Sequence, residues 1–405
     1  MAEDKTISPN NTNISPSFLG GLTASEFLSQ YWQKKHLFIA NAFPDLAQFI
    51  SANELAGFSL EEQIESRIIV EKPGDNWELK QGPFNENTFA ELPESHWTLL
   101  VQAVDHYVPS LAELLDQFNF LPQWRIDDIM MSYAATGGNV GPHYDYYDVF
   151  LIQISGQRHW KVGQVCNDNS PLKENLPVRI LKNFTTVDEW TVNPGDVLYI
   201  PPGVAHHGVA LDDDCITLSV GFRAPSYADM IGEYSHFLAD NLAGHLRYHD
   251  DDLSPCSRSD NISGTIREQD FKRVKNQLLN ELSNDSLLTR WMAEYLSLPK
   301  YDQSEPMECD ISAEEIMRLI EQGAELRRDE ASRYICYDNN GETSLFINGN
   351  EYQTPGINSK LIALVASNRV IPANKLIPYL ADDNPQRWII SLIQSGWLYF
   401  QDNEE

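Results

Sequence analysis

Basic residues are scarce in this chain of 405 residues: 29 lysines and arginines stand against 59 aspartates and glutamates, a formal charge of −30. Gripping nucleic acid requires cations that displace condensed counterions from phosphates, so direct binding to naked DNA or RNA is not expected. The same imbalance would draw a basic protein partner and speed its encounter. Cysteine is scarce too. The five present, Cys166, Cys215, Cys256, Cys309 and Cys336, are odd in number and scattered, with no CxxC pair. That argues against a disulfide frame or a cysteine-bound zinc. No apolar run is long enough to span a bilayer, and the N-terminal MAEDKTISPNNTNISPS has no apolar block of the kind a signal peptide needs. The expectation is a cytoplasmic protein without membrane attachment.

What remains is a chain long enough for two or three compact units. Residues 1–18 have a polar, Pro-containing, aperiodic composition and are read as disordered. Thr23 or Ser25 then caps a helix through EFLSQYWQ. From about Trp124 to Phe222 the texture is β-branched and aromatic: RIDDIMMSY, DVFLIQIS, RHWKVG, DVLYIPP and CITLSVGF follow one another with Gly and Pro between them. Successive strands without interposed helices predict antiparallel pairing in a barrel or jelly roll. Residues 19–224 are therefore assigned to a mainly β core. Residues 225–305 carry apolar positions three and four apart and read as helical. Around 301–310, YDQSEPMECD has linker composition. Residues 306–405 order a helix, a hairpin turning at Asn348-Gly349 and two further helical stretches, a winged-helix-like sequence of elements.

The chemistry concentrates in GPHYDYYDVF and DVLYIPPGVAHHG. In a strand, residues two apart share a side, so His143 and Asp145 can face one interior while Tyr144 points away. Asn193-Pro194-Gly195-Asp196 reads as a tight turn launching VLYI, and Pro201-Pro202-Gly203 ends that strand just before His206. Two imidazoles and one carboxylate on one face of a metal, with the other positions open, suit non-haem Fe(II), with zinc as the competitor. His207 is the weaker alternative to His206. If the co-substrate is 2-oxoglutarate, its far carboxylate needs a cation, and the planar fork of Arg158, which shares a face with Trp160, suits it better than Lys161 on the other face. The hydroxyls of Ser132 and Ser155 are candidate helpers. Tyr144, Tyr146, Tyr147 and Asp148 beside the ligands could receive a guanidinium through ring faces and a carboxylate.

Together GPHYDYYDVFLIQISGQRHWKVG, DVLYIPPGVAHHG and SVGFRAP resemble the JmjC-type ribosomal oxygenases, densely over about 124–225 and more loosely toward both ends. The resemblance implies a double-stranded β-helix of the JmjC/cupin type, a helical dimerisation segment forming a homodimer, and a C-terminal winged-helix-like domain. It places His143, Asp145 and His206 on the family's iron ligands and Arg158 on its 2-oxoglutarate partner. The implied reaction couples oxidative decarboxylation of 2-oxoglutarate by O₂ to hydroxylation of an unactivated C–H bond. Bacterial members hydroxylate an arginine, at carbon 3, of a basic large-subunit ribosomal protein, the sixteenth in the standard series. N-methyl-lysine demethylation and histidine hydroxylation use the same oxidant and stand as alternatives. A non-catalytic cupin-like binding protein is a third.

Overall fold

The computed structural model describes residues 16–44, 46, 49–250, 264–301, 306–339 and 342–400. Contacts divide the chain into two compact units, the first holding residues up to Ala224 with 299–332 and 367 onward, the second holding 225–298 and 333–366. The break after Ala224 falls at the sequence-based boundary, whereas the partition departs from the boundary at 306. The hairpin region is counted with the helices, while the stretches on either side of it are counted with the β core. Composition marks where a linker could lie, but not which flanking elements bury their apolar faces together.

The first unit is built on eleven strands: β1 (Leu37–Ile39), β2 (Ser66–Lys72), β3 (Asn76–Gln81), β4 (Trp97–Val101), β5 (Ile126–Ala134), β6 (Val149–Ser155), β7 (Arg158–Val165), β8 (Thr186–Val192), β9 (Val197–Ile200), β10 (Val204–Ala210) and β11 (Cys215–Phe222). They form an eight-stranded sheet, in the order β1-β9-β6-β11-β5-β4-β2-β3, and a three-stranded sheet, β10-β7-β8. Every pairing between these strands is antiparallel. β11 is buried along its whole length, as its unbroken CITLSVGF predicts for a central strand.

One face of the large sheet buries an aromatic cluster that includes Phe18, Phe27, Phe118, Phe150, Tyr199 and Phe222. Their rings meet edge to face or tilted, as at Phe118–Phe150 (5.0 Å, 63°) and Phe27–Tyr199 (5.0 Å, 75°). Phe18 corrects the expectation of disorder through residue 18. Residues 1–15 lie outside the described residues, but Ser17–Leu19 form a 3₁₀ turn whose Phe18 and Leu19 are buried. A polar composition was outweighed by two apolar residues that the sheet covers. Thr23 caps the helix Ala24–Gln30, and Glu26 returns the bond to the Thr23 amide at 2.8 Å.

The Asn193–Asp196 turn forms as read. The Asp196 amide donates to the Asn193 carbonyl at 2.9 Å, and Gly195 takes φ +88° with its α-carbon facing the Phe43 carbonyl. A Cβ there would stand 2.5 Å from that oxygen, so glycine is required twice over. The first unit also contains the helices Ala313–Glu321 and Asp383–Gln394 and a three-stranded sheet of 326–328 flanked by 370–371 and 398–400. The start of the linker stretch is clamped: the Tyr301 hydroxyl donates to Asp128, and Lys300 Nζ, just before it, lies 2.6 Å from Asp127 Oδ2. Residues 302–305 of that stretch lie outside the described residues.

The second unit holds the helices Tyr227–Asn241, Glu268–Leu282 and Asp285–Ser297 and a sheet of 334–339, 342–347 and 350–352. Tyr234, Leu238 and Trp291 form its buried cluster. The hairpin turns at Asn348 and Gly349 with φ +48° and +82°, the paired positive values that an Asn-Gly turn supplies. Among the described residues no helix is long and apolar enough to cross a membrane.

Candidate metal centre

His143 does not lie in a regular strand. It forms an isolated bridge with His206, each amide donating to the other's carbonyl at 3.1 and 2.8 Å. The chain then leaves the sheet, and the Asp145 carbonyl accepts from the Gly203 amide at 2.7 Å. This corrects the picture of two ligands on one strand: a single bridge and a loop bond hold them. The departure from strand geometry also corrects the orientation of Tyr144, which lines the same cavity as its neighbours rather than pointing away.

The side chains of His143, Asp145 and His206 bring one ligand atom each within 4.8 Å of one another. Asp145 Oδ2 lies 3.8 Å from His143 Nε2 and 3.5 Å from His206 Nε2. His143 Nδ1 is 2.9 Å from the Gly141 carbonyl and His206 Nδ1 is 3.1 Å from the Val204 carbonyl. A carbonyl only accepts, so each Nδ1 carries the proton and each Nε2 lone pair is free for a cation. Burial, then the neighbouring His143, pushes the His206 imidazole down to about 4, the neutral form a ligand needs. His207 faces elsewhere, its Nε2 lying 3.2 Å from Asn139 Oδ1. The β10 irregularity between Val204 and His206 helps set which histidine turns inward.

Asn139, which sequence reasoning missed, is buried and organises this loop. Its Oδ1 accepts from the Gly141 amide at 2.9 Å and its Nδ2 donates to Glu71 Oε2 at 2.6 Å. The Gly141 carbonyl holds His143, so a chain of bonds runs from Glu71 to the metal face. Only the Asn within TGGNVG, a turn-forming composition, signals it beforehand.

The triad opens on a cavity of about 500 Å³ between the two sheets. Arg158 lines it. The residue is 4% exposed, its Nε donates to Cys215 Sγ at 3.4 Å, its guanidinium carbon sits 5.6 Å from the centre of the Trp160 ring, and its Nη2 is buried without a partner. Cys215 also accepts from Gln153 Nε2 at 3.4 Å, and Gln153 Oε1 accepts from Thr217 at 2.9 Å. A donor held in place but unsatisfied is what an absent acceptor would complete. Lys161, on the alternate face of β7, does not line the cavity.

The remaining predicted residues divide. Ser132 lines the cavity, its hydroxyl donating to the Thr217 carbonyl at 3.3 Å. Ser155 does not: it sits at the end of β6 and donates to the Asp214 carbonyl at 2.7 Å. Asp148 is corrected as well. It is fully buried behind the cavity, accepting from Tyr199 at 2.6 Å, Gln33 at 3.1 Å and Arg125 at 3.3 Å. Burial pushes its carboxyl up, and its partners tie the N-terminal segment to the sheet. Tyr144, Tyr146 and Tyr147 do line the cavity, with Tyr146 and Tyr147 substantially exposed. The Tyr144 and Tyr146 rings meet edge to face at 5.4 Å, braced by bonds to the Asn167 carbonyl and to Asp168.

Two stretches of the chain match known families. The JmjC domain family matches residues 113–230, and the ROXA-like winged helix family matches 277–399. The chain is 31% identical to the ribosomal protein uL16 3-hydroxylase of Escherichia coli over 93% of its length and 97% of the relative's. It is 34% identical to a probable ribosomal oxygenase of Haemophilus influenzae, covering 78% of this chain and 80% of that one. A solved structure of YcfD, a ribosomal oxygenase from E. coli in complex with cobalt and 2-oxoglutarate, superposes with a TM-score of 0.81 at 30% identity, covering 94% of this chain and 99% of the other.

Proposed function

Since the chain belongs to the JmjC-type ribosomal oxygenases, 2-oxoglutarate-dependent dioxygenases with a cupin-type β core and a C-terminal winged helix, we propose that it hydroxylates carbon 3 of an arginine in a basic large-subunit ribosomal protein, uL16. The observation that carries this reading is one cavity holding both a His-Asp-His face and a buried arginine whose Nη2 has no protein partner. His143, Asp145 and His206 would hold Fe(II) by Nε2, Oδ2 and Nε2. The donor set fits: two neutral imidazoles and a carboxylate, held by outer hydrogen bonds and open on the cavity side. Bound there with 2-oxoglutarate and O₂, the iron supplies the oxidising chemistry that no side chain can provide.

The chain's own residues bind, orient and exclude water. Arg158, stacked on Trp160 and steadied by Cys215, takes the far carboxylate of 2-oxoglutarate, with Ser132 beside the path. Leu100, Met130, Val149 and Leu151 wall the cavity and keep it poor in water, which strengthens each charged contact inside. The tyrosine faces at 144, 146 and 147 receive the substrate guanidinium and aim one carbon at the metal face.

The partner is read as protein, not nucleic acid, in keeping with the charge of −30, and the place of action as the cytoplasm. The protein is read as a homodimer, because the helix Glu268–Leu282 leaves Phe271, Val274, Leu278 and Leu282 exposed along its length. Light scattering after size exclusion tests that directly. The activity test is mass spectrometry of uL16 incubated with the protein, Fe(II), ascorbate and 2-oxoglutarate, with and without O₂. One added oxygen on one arginine, absent without O₂ and absent with Asp145→Ala, is expected. Formaldehyde release from a methylated lysine would instead identify a demethylase. Succinate without modified protein would reject the ribosomal substrate.

A further inference from the structure

Two of the buried side-chain nitrogens without a partner belong to residues that line the catalytic cavity: Nη2 of Arg158 and Nε of Arg67. Arg158 is used by the reading above. Arg67 is not. It stands on β2 and pairs with Leu100 on β4, which pairs with Ser132 on β5, which pairs with Thr217 on β11. This row of side chains crosses the large sheet and forms one wall of the cavity. Three strand spacings, roughly 14 Å, separate β2 from β11, whose Cys215 touches Arg158. Arg67 therefore belongs to the far side of the cavity from the 2-oxoglutarate anchor.

Ile69, Leu79 and Leu100 line the same wall, and the buried Nε of Arg67 has no hydrogen-bond partner among the described residues. At the Tyr147 hydroxyl, burial and then the carboxylates of Asp145, Asp128 and Asp127 push the proton affinity up, and Arg67 opposes them. Arg67 is half-buried, and its Nε, buried without a hydrogen-bond partner, is a donor that an acceptor from a ligand would satisfy. The strands that carry it also lie before residue 113, outside the stretch matched by the JmjC domain family. They add a wall to the metal site without contributing to it.

We propose that Arg67 is a specificity-determining residue: it receives a hydrogen-bond acceptor of the substrate polypeptide next to the reacting arginine and excludes a lysine or arginine from that place. The inference rests on the ribosomal-protein reading and deepens it. A basic substrate offers many cations, and a fixed cation in the wall selects the register in which a neutral or acidic position faces β2. The acceptor is a main-chain carbonyl or a side-chain carboxylate, and both present oxygen to the same donor.

The test measures binding of fluorescent arginine-centred uL16 peptides to the full chain loaded with Mn(II) and 2-oxoglutarate. Each flanking position is replaced in turn by Ala, Asp or Lys. In the native chain, Lys at one position should weaken binding roughly ten- to a hundredfold relative to Ala. Arg67→Met should abolish that penalty, and Arg67→Glu should invert it, with thermal melting as the check on folding. Tighter binding of the Asp peptide identifies a carboxylate as the acceptor, whereas equal binding of Asp and Ala peptides identifies a carbonyl. A penalty that persists in Arg67→Met, or a raised 2-oxoglutarate KM in place of altered peptide selectivity, overturns the proposal and leaves the hydroxylase reading standing. Failure of the native chain to bind any uL16 peptide overturns both.

Discussion

At the scale of single residues, two side chains carry separable tasks. Arg158 holds its guanidinium against Trp160 and Cys215 with Nη2 unpaired. Arg158→Met keeps the length of the side chain and removes the charge, so the 2-oxoglutarate KM should rise roughly thirtyfold or more, the worth of about 2 kcal/mol for a charged hydrogen bond. Steady-state kinetics against 2-oxoglutarate at saturating peptide check this, and an unchanged KM would move the anchor elsewhere. Asn139 acts through others. Its Oδ1 holds the Gly141 amide, whose carbonyl holds His143. Asn139→Ala should weaken metal binding roughly ten- to a hundredfold, the usual cost of losing an outer-shell partner, without abolishing it. Titration of the metal-free protein with Mn(II) or Co(II) measures it. The triad was legible in the sequence because HxD and a second histidine after PPG arrive together, where either alone means little. Asp148 was misplaced because adjacency to a ligand in the chain does not fix which way a group faces once the regular alternation stops at the loop, and Ser155 because at the end of β6 its hydroxyl turns to the Asp214 carbonyl.

At the scale of elements, strands announced themselves through alternation, and the turns through Asn-Pro-Gly-Asp and Asn-Gly. Elements whose role is set by distant partners did not. SPSFLGG reads as polar and loose, yet Phe18 is fully buried against Phe118 and Phe150. The stretch at 301–310 reads as linker, yet its first residue Tyr301 and the preceding Lys300 seat on Asp128 and Asp127. That seat is pH-sensitive. Burial raises the Asp128 carboxyl to about 6, with the neighbouring Asp127 and Asp105 adding to the rise and Lys300 and the Tyr301 hydroxyl opposing it. The folded chain thus binds this proton more tightly than the unfolded chain, whose aspartate has its ordinary value of 3.8. The stability this proton brings is fully present below that ordinary value and is lost as pH rises through about 6. Asp128→Asn mimics the protonated form at every pH. It should melt well above the native chain near pH 8 and by a smaller margin near pH 5, the margin closing only as pH falls below 3.8, as followed by circular dichroism. Equal melting at both would mean that the carboxylate is fully compensated where it sits.

At the scale of the whole molecule, the order of strand-rich, helical and mixed segments was readable from periodicity. The partition into compact units was not, because it depends on which faces meet. The charge was readable outright and makes its own prediction. With −30 formal charges, the molecule's field attracts a basic ribosomal protein at long range, and that attraction acts mainly on the encounter rate. Salt shortens the reach of the field from about 10 Å at 0.1 M to about 3 Å at 1 M. The association rate of uL16 with this protein, measured by stopped-flow fluorescence, should therefore fall about tenfold or more between 0.05 and 0.5 M NaCl. Dissociation, governed by short-range contacts in the cavity, should change far less. The 2-oxoglutarate KM serves as the internal contrast, since its charge is met by a buried Arg158 at 4% exposure, where bulk ions screen weakly. If association were indifferent to salt while the KM rose steeply, the surface charge would have no steering role, and the acidic character would reflect solubility alone.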